Sequence, residues 1–378
     1  MPNQKKSYDV LIVGAGPSGS TLGYLLADKG FDVLVIDKDT FPRPKLCAGS
    51  ITWKTRKLLE KLFNAPFKEL FHVDDISEDY FIYERFKERV HQKSPDPFYF
   101  VNRKRYDMEL VSLAEKKNCT FLFGEQIMDV SIQSNTVHTK SGSLFHGRVI
   151  AGADGANSIV RRRIHSQRAF KHNLALAFQG DVPFNKVKNK FQTHSPRLFI
   201  GEIKWGYGWI FPHGERFSVG LCGLIRKNKN IKKTFVDFYN TVAEEKIRTD
   251  QSMGSHLVPF GNFLERPGER NVLLAGDAAG FTDALTGEGI YYAHKSAEIA
   301  AKAILDFFKS SEEVRLLELY RNTLKPMYKE LKISRRLRDL AYTPLRYFVY
   351  SFIKSPKFYL KLTNVIQGRK SYSDIFFK

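Results

Sequence analysis

The sequence predicts an α/β chain, α+β overall: a Rossmann-type parallel-sheet lobe, an antiparallel-sheet second lobe and a helical C-terminal segment. Three observations carry this. Tyr8 to Val13 is a short β-rich run that ends in Gly-Ala-Gly-Pro-Ser-Gly and leads into a helical pattern, the start of a βαβ unit. A late apolar run, Asn271 to Ala275, again ends in glycine and leads into a long helix through Ala300. Between them, from about Ala175 to Leu264, the pattern changes to alternating strands with many aromatic residues.

The first helix carries Leu22, Leu25 and Leu26 and stops at Gly30. A second strand, Asp32 to Ile36, ends at Asp37, and the stretch between Phe41 and Ser50, rich in Pro, Lys and Gly, reads as an ordered functional loop. Arg103 to Ala114 is expected to be a helix, followed by short strands at Cys119–Phe123, Ile127–Ile132 and Thr136–Thr139. Arg148 to Ala153 is a strand ending in Asp154-Gly155, while Leu198–Ile203 and Phe217–Leu221 belong to the antiparallel sheet. The first lobe is therefore discontinuous: residues 1–75, 100–174 and 265–305, with 76–99 and 175–264 in the second lobe and 306–378 as a basic, aromatic helical region.

A length of 378 residues suits two lobes. The net charge of +20 favours an anionic partner, and no recognition motif accompanies it, so an anionic membrane surface is expected and nucleic acid is not. Cys47, Cys119 and Cys222 are far apart with no CxxC, which argues against a disulfide framework and a zinc site and fits a reducing cytosol; no metal is expected. The first residues enter a strand at once, leaving no room for a secretory h-region, and no run of 18 apolar residues exists to span a bilayer. The expected location is cytoplasmic, peripheral on the cytoplasmic face of the membrane.

Gly14 permits the tight turn after the first strand, Gly16 lets the backbone approach a pyrophosphate, and Gly19 lets helix and strand pack closely. The phosphates would lie at the N-terminus of the helix beginning near Pro17. Asp37, at the end of the second strand, is placed to accept hydrogen bonds from ribose hydroxyls. This set establishes a dinucleotide without separating FAD from NAD.

Three further motifs point to FAD. The segment around Gly276-Asp277-Ala278-Ala279-Gly280 resembles the second flavin fingerprint of the p-hydroxybenzoate hydroxylase-like flavoproteins. That resemblance implies that Asp277 binds the ribityl chain and that Gly287, Gly289 and Ile290 pass close to the ring. It also implies that the following helix aims its N-terminus at the flavin, where the dipole stabilises the anionic reduced form. Ala153-Asp154-Gly155-Ala156-Asn157-Ser158 resembles the Asp-Gly motif of the same superfamily, although alone it reads as an Asx turn. Arg103-x-x-Tyr106-Asp107 resembles the helix start whose arginine approaches FAD; alone it reads as a solvated charge. No second GxGxxG is present, so no separate NAD(P)H domain is expected.

Two stretches narrow the family. Arg43-Pro44-Lys45-Leu46-Cys47-Ala48-Gly49 resembles the Arg-x-Lys-x-Cys-Gly-Gly loop of geranylgeranyl reductases, with Ala48 in place of the first glycine. Tyr207-Gly208-Trp209-Ile210-Phe211-Pro212 resembles the Tyr-x-Trp-x-Phe-Pro core of their substrate-side motif, with Lys204 where those reductases carry a proline. The resemblance covers roughly residues 8 to 300. It implies FAD contacts at Gly14, Ala15, Gly16, Pro17, Ser18, Gly19, Asp37, Lys38, Arg43, Cys47, Ala48, Gly49, Ser50, Arg103, Ile127, Asp154, Gly155, Asp277, Gly287, Gly289 and Ile290. Cys47 is the candidate catalytic residue, and Tyr207, Trp209, Phe211 and Pro212 are the candidate substrate contacts.

The implied chemistry is hydride transfer from reduced flavin to a C=C bond of an apolar isoprenoid substrate, with electrons from NAD(P)H or a ferredoxin. Two alternatives share the fold: an FAD monooxygenase or halogenase, whose Trp-x-Trp-x-Ile-Pro motif is not far from Tyr207–Pro212, and a membrane-associated electron carrier to quinone. From Arg321 to Lys378 there are fourteen Lys/Arg against three Asp/Glu. Pro344 starts an apolar stripe of Leu345, Phe348, Val349, Phe352 and Ile353, flanked by Lys354 and Lys357. Phe358, Leu362, Val365 and Ile366 continue it after Pro356, which suits either lipid contact or packing on the core.

Overall fold

The computed structural model describes residues 6–165, 171–251, 253–310, 315–342 and 356–376. The stripe expected from Pro344 through Lys354 lies outside the described residues.

The first sheet runs Gly268–Glu269, Val272–Leu274, Leu144–Gly152, Lys6–Val13, Val33–Asp37, Thr120–Phe123, with Ile127–Ser131 and Thr136–Thr139 attached antiparallel at one side. Its centre is parallel, with Val10–Val13 beside Val33–Ile36 on one edge and Val149–Gly152 on the other. These strands are near-continuous apolar runs because both faces are covered. The helix Pro17–Ala27 packs close to the sheet through Gly23, where a Cβ would stand 2.8 Å from the Cys119 sulfur. It is tied to the helices Arg103–Glu115 and Ile290–Lys309 by buried His294, whose ring nitrogens hydrogen-bond Thr21 and Tyr106 at 2.7 Å each.

The second sheet runs Ser255–Pro259, Leu174–Pro183, Arg216–Leu224, Gly206–His213, Arg197–Ile200, Asp75–Glu84, Lys87–Phe100, Ser50–Ile51. It is antiparallel except where Arg197–Ile200 lies parallel to Phe81–Glu84. Strand alternation sends Phe178, Phe199 and Val219 to one face, under Phe235 and Phe238 of the amphipathic helix Ile231–Val242. The opposite face, with Ala177, Leu198 and Trp209, turns toward a cavity. The strand expected to continue to Ile203 ends at Ile200, because Gly201 (φ +93°) and Trp205 (φ +53°) turn the chain.

The 27-residue helix Leu316–Tyr342 buries Tyr320, Leu324, Met327 and Leu331 against the first lobe and carries Pro326 inside it. The helix Pro356–Ile366 lies against the long hairpin of the second sheet, where the Thr363 hydroxyl donates to Tyr80 at 2.8 Å and Tyr359 packs with Ile82 and Val90. Gln367 fastens its end by donating to Asp96 O at 2.9 Å and accepting from Trp53 N at 2.7 Å. The Phe358–Ile366 segment thus packs on the protein itself.

Candidate active site

One cavity of about 1410 Å³ runs from the first glycine turn, under the second sheet, to the helix Pro356–Ile366. At the turn, Gly14 has φ +102° and a Cβ there would lie 2.5 Å from Ala153 O, while a Cβ on Gly19 would lie 1.8 Å from Gly14 O. Neither tolerates a side chain. Gly16 differs: a Cβ would meet only Arg43 at 3.8 Å, so its open side faces the cavity. The helix that follows has no side-chain cap, which leaves its first N–H groups and dipole for an anion. Ser18 Oγ is buried beside it without a partner. Asp37 accepts from Ala15 N at 2.7 Å and Asp39 N at 2.9 Å, which holds its carboxylate at the cavity wall. These features fit a dinucleotide.

The Phe41–Gly49 loop leaves the first sheet and ends on the second, at Ser50–Ile51. Buried Asp107 binds it by accepting twice from Arg103, at 2.8 and 3.0 Å, and pairing with Arg43 at 3.4 Å. Burial disfavours the Arg103 charge, but the Asp107 carboxylate outweighs it and raises the guanidinium's pKa, with Cys47 adding in the same direction. Cys47 therefore sits beside a fixed positive charge, and its sulfur accepts from Gly49 N at 3.4 Å. Gly49 needs its φ of +69°, since a Cβ there would strike Val101 O at 2.2 Å. Ala48 is not among the positive-φ residues, so the missing glycine causes no strain; its carbonyl meets His213 Nε2 at 3.1 Å.

Asp154 caps the short helix Ile159–Ile164 by accepting from Ile159 N at 2.6 Å, leaving Oδ1 buried and unpartnered at the cavity. Arg161 clamps this motif to the late one, donating to Ala156 O at 2.6 Å and Ala278 O at 3.0 Å. Asp277 accepts from Thr282 at 2.9 Å; burial raises its pKa against that bond and the charges of Lys45, Arg103 and Arg161. The Gly287–Gly289 turn is fixed by Tyr207, whose hydroxyl donates to Thr286 O at 2.6 Å, and by Glu288, which pairs with Lys54 at 2.6 Å. Gly289 caps the helix Ile290–Lys309 without a side-chain bond, so a second free helix N-terminus faces the cavity.

Every expected cofactor contact lines this cavity except Ala15 and Gly19, which build the turn from behind it. Tyr207, Trp209 and Phe211 line it too; Pro212 is buried in its strand and does not. Beyond them the space becomes apolar, between Tyr80, Ile82, Phe98 and Leu198 on the sheet and Phe358, Tyr359 and Leu362 on the C-terminal helix. Sequence reasoning assigned no role to Lys45, Arg161, His256 or Glu288. Lys45, Arg161 and Glu288 each stand in or beside a recognised motif, whereas His256 has no such signal. The four lie on separate segments that only the fold brings together.

Fold and site together define a flavoprotein, and comparison with known proteins agrees. Residues 7–332 match the family described as "FAD binding domain". The chain is 32% identical over 81% of its length to an uncharacterized protein of Methanosarcina barkeri, covering 76% of it. It is 30% identical to the geranylgeranyl diphosphate reductase of Rhodobacter capsulatus (89% of this chain, 84% of that one), and 27% to a menaquinone reductase of Mycobacterium tuberculosis (79% and 76%). Among solved structures, a geranylgeranyl bacteriochlorophyll reductase-like protein of Thermoplasma acidophilum superposes with TM-score 0.76 at 19% identity, covering 97% of this chain and 92% of that one. The halogenase PltM superposes at 0.69 and 17% (89% and 76%), a likeness of fold alone. The chain is an FAD-dependent oxidoreductase. It belongs to the geranylgeranyl reductase-like family of FAD-binding proteins.

Proposed function

We propose that this enzyme saturates C=C bonds in the isoprenoid chain of a lipid, quinone or pigment. The observation that carries this reading is the apolar compartment continuous with the flavin motifs, walled by Leu198, Tyr80 and Ile82 on one side and Phe358, Tyr359 and Leu362 on the other. A substrate with almost nothing polar to grip must be positioned by shape. The names of the Rhodobacter and Mycobacterium relatives support the same class.

Arg43, Arg103, Asp37, Asp154 and Asp277, with the two open helix ends, would hold FAD, which when reduced supplies the hydride. Tyr207 and Trp209 would align the chain, and Cys47, beside Arg103, would meet the reacting end. Cys47→Ser is expected to slow alkene reduction with FAD still bound; unchanged turnover would remove Cys47 from the site. The experiment that tests the whole reading is mass spectrometry of lipids and quinones from cells with and without active protein. A gain of about two mass units per reduced bond names the substrate, and its absence with rapid quinone reduction favours an electron carrier.

The reading includes an anionic membrane contact. Arg321, Lys325, Lys329, Lys332 and Arg336 form an exposed basic stripe along the helix Leu316–Tyr342, with Leu340 exposed near its end. Among the described residues no helix is long and apolar enough to cross a membrane. Co-sedimentation with vesicles containing anionic lipid, and none with neutral vesicles, is the expected result. The electron donor, NAD(P)H giving two electrons at once or a ferredoxin giving them singly in two transfers, is identified by which of them reduces the bound flavin.

A further inference from the structure

Saturating an alkene requires a proton as well as a hydride, and the cavity wall contains a lysine whose partner is not a carboxylate. Lys45 leaves the loop between Arg43 and Cys47, and its ammonium donates to the His256 ring, 3.1 Å from Nε2 and 3.4 Å from Nδ1. Lys54, by contrast, is neutralised by Glu288 at 2.6 Å. His256 stands on the edge strand Ser255–Pro259 opposite Ala177, with Val258 in the same wall. The two side chains therefore meet across the seam between the flavin-side loop and the apolar compartment. Gly254 and Leu46 border the same seam, where a Cβ on Gly254 would stand in van der Waals contact with Leu46 at 3.4 Å.

The surrounding charges let the pair release a proton. Burial, helped by the Arg103 and Arg43 charges and opposed by Asp277 and Asp107, lowers the Lys45 pKa to about 8. Burial also pushes His256 down to about 3, helped by Lys45, Arg103 and Arg43, so near neutral pH the ring is an uncharged acceptor. The pair holds one dissociable proton, on the lysine.

We propose that Lys45, positioned by His256, donates the proton in alkene reduction, an assignment that rests on the isoprenoid reading above. The π bond breaks; the hydride from reduced flavin forms one C–H bond, and the Lys45 proton forms the other. The flavin ends oxidised and regains two electrons from NAD(P)H, or from a ferredoxin in two single transfers, and the neutral Lys45 amine is reprotonated by water between turnovers. His256 is a positioning residue, and Lys45 is the group facing the reacting carbon.

The test uses the FAD-loaded full chain, with geranylgeranyl diphosphate and a menaquinone as probes. NMR titration of ε-labelled lysine, without substrate, is expected to show a resonance with a midpoint near 8 that is missing in Lys45→Arg and displaced in His256→Gln. Lys45→Arg keeps the positive charge but not the labile proton. Like Lys45→Met, it should bind FAD and lose about 100-fold or more in turnover. Wild-type turnover should fall as pH rises through about 8, and His256→Gln should move that limb. Lys45→Arg within about threefold of wild type, or no lysine titrating below pH ~10, overturns the assignment. A wild type that shows the titration but reduces neither probe sinks the isoprenoid reading, and with it the proton's destination.

Discussion

Gly16→Ala separates a cofactor role from a structural one. Gly16 already has φ −71° and ψ −176°, an extended conformation open to alanine, and the new methyl would find no atom nearer than Arg43 at 3.8 Å. The apoprotein should lose only the helix-cap difference, about 0.5–1 kcal/mol. With FAD present the same methyl stands on the open side of the turn and keeps a phosphate from the free N–H groups. A hydrogen bond to a charged partner is worth about 1.5–3 kcal/mol, so losing one should raise the FAD Kd roughly ten- to 150-fold. Gly19→Ala is the control: its methyl would lie 1.8 Å from Gly14 O, so helix and turn must separate whether or not cofactor is bound. Overpacking of this kind costs about 1–3 kcal/mol, and it should appear as a lower apoprotein Tm. Flavin fluorescence titration gives Kd, and melting of the apoprotein gives stability. A wild-type Kd for Gly16→Ala, or an apoprotein Tm loss equal to that of Gly19→Ala, would refute the placement of the pyrophosphate.

Leu198→Trp adds an indole to the apolar compartment without touching a flavin motif, so KM for a long isoprenoid should rise about tenfold while the FAD Kd holds, and a shorter chain should suffer less. Equal effects on both chains would place the substrate elsewhere. His294 makes stability depend on pH. Burial lowers its pKa to about 3, below the ordinary value near 6.5, so the unfolded chain binds the extra proton first. Its contribution is complete above pH ~6.5 and falls as pH drops toward 3, with about 2 kcal/mol gone by pH ~5. His294→Gln should flatten that part of the Tm–pH curve; an unchanged slope would mean that other groups set it.

The flavin half of the site was legible because its chemistry is local. Gly14 has the positive φ of the turn and Gly19 packs on the Gly14 carbonyl, both set by one short segment, and Asp37 follows its strand at a fixed distance. Asp154 and Asp277 were legible as motifs, but Arg161, which ties them together, was not: it follows one motif in sequence and reaches the other only through the fold. The Tyr207–Phe211 strand was read as a pocket wall and does line the cavity, while Pro212 was assigned to it only as part of the motif. The far end of the compartment had no sequence signature. Tyr80, Ile82 and Leu198 alternate along their strands as core residues do, and nothing local says that the opposing layer is a C-terminal helix with space between.

That helix changes how the C-terminal region is to be understood. Phe358 and Leu362 belong to the apolar stripe that suited lipid contact, and both line the cavity, so part of the surface available for lipid faces the apolar compartment instead. The helix is held there by polar bonds at its far end, Gln367 to Asp96 O and Trp53 N, and by Gly368, where a Cβ would lie 2.4 Å from the Lys54 side chain. Lys54 in turn pairs with Glu288 in the turn that passes the flavin motifs. A contact chain thus runs from the C-terminal helix through Lys54 to Gly287 and Gly289.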